Sequence, residues 1–154
     1  MLLLLFELDG GRYAVDATRV MEVLPLVNIR PLPNAPPGVA GLIDLRGTPV
    51  PIVDLASLTL GRPTRSRLST RIVVVRDEND RARLTGLLVE RATDMRRCDA
   101  ADFTAAPVRH ERAPYLGAVS AGAAGLIQLI DVSRLLAAVL PAVPNGLEAV
   151  DAAV

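Results

Sequence analysis

Residues 33–55 read Pro-Asn-Ala-Pro-Pro-Gly-Val-Ala-Gly-Leu-Ile-Asp-Leu-Arg-Gly-Thr-Pro-Val-Pro-Ile-Val-Asp-Leu, and this stretch decides the fold. Gly41 to Leu45 and Val50 to Val53 are two apolar, β-branched runs separated by Arg46-Gly47-Thr48. Such a pattern is a β-hairpin with glycine at its tight point. Pro49 and Pro51 stand two apart, so in an extended strand both missing N–H groups fall on one edge. That edge cannot carry a full ladder, and the second strand is expected to lie at an edge or to pair on its other side only. A single arginine, Arg46, is thereby held at the hairpin tip.

Working outward, Leu3 to Leu8 and Arg12 to Val15 are expected strands joined by the turn Asp9-Gly10-Gly11. Asp16 is a candidate cap for a short helix over 17–24, where Ala17, Val20, Val23 and Leu24 form one apolar stripe and Pro25 stops it. Residues 28–32 read as extended. Between 59 and 70 the apolar pattern lapses into Gly61-Arg62-Pro63-Thr64-Arg65-Ser66-Arg67, the expected boundary between two halves. Strands follow over 72–75 and 84–90, then a loop over 96–114, then strands over 116–119 and 125–130. Asp131 caps a final helix over 132–140, with Val132, Leu135, Leu136, Val139 and Leu140 on one face and Pro141 ending it. Residues 142–154 are expected to fray. Val50 to Leu58 and Ile127 to Leu135 echo each other as strand, Asp and helix, which points to two related small barrels. Each alone, at roughly 70 residues, would be marginally stable, so the two should pack together.

Composition narrows the function. Half the chain is hydrophobic (51%) but only 3% is aromatic, so the core must be built from Leu, Val, Ile and Ala. Formal net charge is zero and lysine is absent. Nucleic-acid binding would want a basic surface and stacking platforms, and this chain offers neither. The single cysteine, Cys98, excludes an intramolecular disulfide and fits a reducing compartment. Glu7 and Asp9 follow the apolar start at once, so it reads neither as a signal peptide nor as a membrane span, and the cytoplasm is the expected location.

Catalytic chemistry finds little to use. His110 stands alone among Arg109, Glu111 and Arg112, and a lone loop histidine is usually solvated. Cys98 follows Arg96-Arg97, which would favour a thiolate, yet no base or resolving thiol accompanies it. Metal-ligand spacing, a P-loop and Gly-x-Ser-x-Gly are all missing. The chain is therefore expected not to be an enzyme and to carry no cofactor. Arg62, Arg65, Arg67 and Arg71 form a cluster suited to an acidic partner or to phosphates, or to a merely solvated linker. Arg46 and Glu22 are charges set in apolar segments. They can pair internally and fix the hairpin, or Arg46 can meet a partner, and the two are compatible.

The motif Ala-Pro-x-x-Val-x-Gly-Leu-Ile-x-Leu-Arg-Gly-x-Pro-Val-Pro-Ile-Val-Asp-Leu at 35–55 resembles the CheW-like domain of bacterial chemosensory systems. So do Arg-Val-Met-Glu-Val-Leu at 19–24, Arg71 to Val75, Gly86 to Glu90 and Tyr115-Leu116-Gly117, in the same order across 2–140. The resemblance implies a mostly β fold, with two SH3-like five-stranded barrels in one domain over 1–140. It also implies a non-catalytic adaptor that couples the signalling tip of methyl-accepting-type chemoreceptors to the regulatory domain of a CheA-type histidine kinase. Neither nucleic acid nor membrane insertion is involved, and the adaptor would be recruited to receptor arrays at the inner membrane face. Carried over by position, Val20, Glu22, Val23, Gly41 and Arg46 are receptor-binding candidates, and Thr48, Pro49, Val50 and Pro51 are kinase-side candidates. Met-Leu-x-Leu-Leu-Phe at the start, Glu-Val-Leu-Pro-Leu-Val at 22–27 and Leu-Gly-Arg-Pro at 60–63 resemble coupling proteins of Wsp-type surface-sensing pathways. Departures from the pattern are Asp44, Val89-Glu90, Arg91-Ala92 and Arg96-Arg97, which bear on partner identity. The competing reading is a small-ligand-binding module using the groove between the barrels.

Overall fold

The computed structural model describes residues 1–122 and 125–140. The expectation of a frayed tail therefore lies outside the described residues. Strands β1 (Leu2–Leu8) and β2 (Gly11–Asp16) lead through a 3-10 turn, Ala17–Arg19, into β3 (Val20–Pro25). Then come the hairpin β4 (Val39–Leu45) and β5 (Thr48–Asp54), helix α1 (Leu55–Leu60), β6 (Thr70–Arg76) and the long β7 (Leu84–Arg97). A short β8 (Phe103–Thr104), β9 (Leu116–Gly122), β10 (Gly125–Ile130) and α2 (Val132–Val139) follow among the described residues.

One expected element is replaced. The helix over 17–24 is only the 3-10 turn, and residues 20–25 form a strand antiparallel to β6, with Val23 opposite Val73 and Leu24 opposite Ile72. The apolar spacing of this segment satisfies both periods, and non-local pairing with the β-branched run of β6 decides for the strand.

The sheet runs β3-β6-β7-β1-β2-β10-β9-β8, with β5 pairing both β7 and β4. It is one continuous sheet, not closed into barrels, and β7 belongs to two halves. In the central half (residues 20–90) the order is β4-β5-β7-β6-β3. In the terminal half β7 continues into β1, β2, β10, β9 and β8. The expected boundary near 59–70 is thus displaced. Residues 61–69 join α1 to β6 inside the central half, and the chain changes halves after β2 and again along β7, where Arg91 takes φ +54. Composition misleads here because the loop's polar residues are used: Asp54 accepts from Thr64 N (3.0 Å) and Thr64 Oγ1 (2.6 Å).

The halves repeat each other. In each, an antiparallel hairpin delivers a strand that then pairs in parallel: Ile43 faces Val50 and Ile52 faces Gly86, as Ser120 faces Ile127 and Leu129 faces Ala14. Both strands end in an Asp cap. Asp54 accepts from Ser57 N and Asp131 from Arg134 N, so both echoed segments fold alike.

Alternate residues of the apolar runs serve different cores. Ile72 and Val74 face a cluster with Val50, Ile52 and Leu88 inside the central half, while Leu3 and Leu5 join Ala14 and Ile127 inside the terminal half. Val73, Val75, Leu4 and Phe6 enter a larger core between the halves, with Val53, Leu87, Leu135 and Leu136. Strands buried on both faces read as unbroken apolar runs. β5 also differs from expectation, because it is an edge only over its proline-bearing start. At Ile52 and Val53 it is flanked on both sides.

Candidate functional site

The β4–β5 turn has Arg46 at φ +50 and Gly47 at φ +88, the left-handed pair of a two-residue hairpin turn. Asp44 closes it, its Oδ1 accepting from Gly47 N at 2.7 Å. Arg46 is thus presented by a fixed backbone with its side chain 65% exposed. One guanidinium N–H donates to Glu22 Oε1, and the rest of the fork faces solvent. The hydrogen bond and charge of Glu22 raise the Arg46 pKa further, so the cation persists at any biological pH.

Glu22 stands opposite Val74 on β3, one end of the central half's strand order, and the hairpin stands at the other end. The ion pair therefore spans the seam where a barrel would close. A second bridge crosses the same seam: Arg30 N donates to Leu42 O (2.8 Å) and Leu42 N to Arg30 O (2.9 Å). Gly41 makes that approach possible. Its φ is +151, and a Cβ there would lie 2.0 Å from Arg30 O. Gly41 is a packing requirement of the seam rather than a contact residue.

The structure brings Arg46 and Glu22 together but separates them from the two valines. Cross-strand partners share a face, so Val23, opposite Val73, lies on the other side of β3 from Glu22. Val20 is half-buried against the inter-half core, and Val23 is 37% exposed. Among the kinase-side candidates Thr48 and Pro49 are exposed and Pro51 is half-buried. Val50 is corrected: at 0% exposure it belongs to the central core and presents nothing to a partner. Sequence reasoning missed Arg30, whose backbone holds the seam. The extended reading of 28–32 was the available signal.

His110, Arg109 and Arg112 line a groove of about 620 Å³ with Tyr13 and Thr59. Burial pushes the Tyr115 phenol above its ordinary value, and its hydroxyl is 2.9 Å from Thr59 Oγ1, tying α1 to the terminal half. Among the described residues no group of three or more His, Cys, Asp or Glu is placed to hold a metal. No described helix is long and apolar enough to cross a membrane.

The site is a fixed, mostly exposed arginine at the seam of a doubled β-sheet module. A family model described as CheW-like domain matches residues 2–140, and the chain belongs to that family. It is 31% identical over 93 residues to a chemotaxis protein CheW of Rhizobium meliloti, covering 60% of this chain and 58% of that relative. It is 26% identical over 135 residues to a chemotaxis protein CheW of Klebsiella aerogenes, covering 86% and 80%. The crystal structure of scaffolding protein TtCheW from Thermoanaerobacter tengcongensis superposes with a TM-score of 0.77 at 23% identity, over 88% of this chain and 86% of that one. At that identity the likeness speaks for the fold.

Proposed function

We propose that this chain is a non-catalytic adaptor that couples chemoreceptors to a CheA-type histidine kinase. It acts without catalysis of its own, a reading supported by its membership of the CheW-like domain family and its likeness to a scaffolding protein of the same fold. The observation that carries the reading is the Arg46 guanidinium, rigidly presented, mostly exposed and only partly used by Glu22. Arg46 gives a directional polar contact, and the exposed face of Val23 gives apolar area across the edge of β3. The partner is the signalling tip of a methyl-accepting-type receptor, engaged in the cytoplasm at the membrane-facing arrays. Glu22 holds the arginine in position until a partner carboxylate shares it.

The kinase regulatory domain meets Thr48, Pro49 and Pro51. Proline leaves this edge without two of its donors, so the contact is made by side chains rather than by an added strand. The Wsp-type likeness makes a surface-sensing kinase the first one to try.

The test is a pull-down with the purified chain, a receptor-tip coiled-coil fragment and a kinase regulatory domain from the same organism. Wild type should capture both, and Arg46→Glu should lose only the receptor fragment while its circular dichroism stays unchanged. Capture of neither by wild type would refute the adaptor function.

A further inference from the structure

The arginine-rich run 62–71 has no role in the reading so far, and the structure divides it. Arg62 pairs with Asp9 at the β1–β2 turn, which settles its charge within the fold. The remainder forms a tip pinned by its own hydrogen bonds. Thr70 Oγ1 donates to Arg65 O (2.5 Å) and accepts from Arg67 N (2.9 Å), and Thr70 N donates to Arg67 O (3.0 Å). Arg71 Nη1 donates to Leu68 O (2.5 Å), and Arg91 N donates to Ser69 O (2.8 Å). On this pinned loop Leu68 is 98% exposed.

An apolar side chain held fully in water by a pre-ordered backbone contributes buried area on binding and loses little loop entropy. The tip also has a companion surface. Pro25 stands opposite Arg71, so the loop extends the β3–β6 pair, and a groove of about 840 Å³ runs between Pro25, Leu26, Arg67, Leu68 and Arg71. The groove is lined by two guanidinium groups and no carboxylate, so its charge complement is acidic.

We infer that Leu68 is an anchor for an acidic amphipathic helix that lies along the end of β3, its apolar stripe on Pro25, Leu26 and Leu68 and its carboxylates against Arg67. This rests on the adaptor reading and makes the helix part of the receptor tip, extending its footprint beyond Arg46.

The experiment titrates the full chain with the receptor-tip fragment and, separately, with the kinase regulatory domain, comparing wild type, Leu68→Ser, Arg67→Glu and Arg46→Glu. Leu68→Ser should weaken the tip at least tenfold and leave kinase-domain binding within twofold. Arg67→Glu should also weaken the tip, and the remaining binding should depend less on salt. Wild-type affinity of Leu68→Ser, with Arg46→Glu still defective, would overturn the anchor and leave the adaptor standing. An equal loss of kinase-domain binding by Leu68→Ser would overturn it too, as would a wild-type chain that binds no tip, an outcome that removes the adaptor reading with it. Since Leu68 is 98% exposed and its fixed contact is through its backbone carbonyl, the side-chain change should not disturb folding, which circular dichroism checks in each variant.

Discussion

Gly41 and Arg46 sit on the same hairpin and fail differently when changed. Alanine at 41 needs a positive φ and drives its Cβ into the Arg30 carbonyl, so the seam must open. We expect Gly41→Ala to cost about 2–4 kcal/mol, from backbone strain and overpacking together, read as a lower urea midpoint. Receptor binding should fall with it, whereas Arg46→Glu should lose binding with the urea midpoint nearly unmoved. Stability equal to wild type in Gly41→Ala would show that the seam has no structural weight. The phenols make a pH prediction. Burial raises both Tyr13 and Tyr115, so the folded chain keeps protons that the unfolded chain releases. Their contribution is complete below the ordinary tyrosine value of about 10 and is lost as pH rises through the higher folded values. Denaturant midpoints should therefore be flat from neutral pH to about 9.5 and fall beyond it, less steeply in Tyr115→Phe.

At the scale of elements the two Asp caps allow a controlled comparison. Asp131 accepts one cap bond at the start of α2, while Asp54 caps α1 and also holds Thr64 through both its N–H and its hydroxyl. Asp131→Ala should cost about 1 kcal/mol and Asp54→Ala about 2–3 kcal/mol, measured by equilibrium unfolding. Equal losses would mean that the 61–69 loop adds nothing. The same elements show how far the sequence could be read. The β4–β5 hairpin was legible because β-branched runs flank a glycine turn, and α2 because five apolar residues keep one helical stripe. Residues 20–25 were not, since what makes them a strand is β6, distant in sequence. Within the site, the meeting of Arg46 with Glu22 could be anticipated from two charges isolated in apolar runs. Burial of Val50 was available from its alternation with Ile52, but its neighbourhood with two prolines suggested a surface. Leu68 went unseen because it sits in a polar run where one leucine carries no periodic signal.

For the whole molecule, the core between the halves draws residues from β1, β6, β7, α1 and α2, so neither half has its full apolar contacts without the other. The chain should unfold in one transition, with calorimetric and van't Hoff enthalpies equal. Two resolved transitions, or an independently folded fragment 20–90, would contradict this. The repeat of strand, cap and helix was legible as an echo, but its halves were drawn at the wrong place. Composition marks loops, and the exchange between halves happens inside one strand, at Arg91. The terminal half takes β1 and β2 from the beginning of the chain and β9, β10 and α2 from its end. During synthesis, then, the first hairpin leaves the ribosome long before β10, the strand that flanks β2, has been translated. It emerges with apolar residues on both faces and must wait in the company of chaperones or of the nascent central half, so the rate at which the last strands are made sets how long this protein is exposed to aggregation.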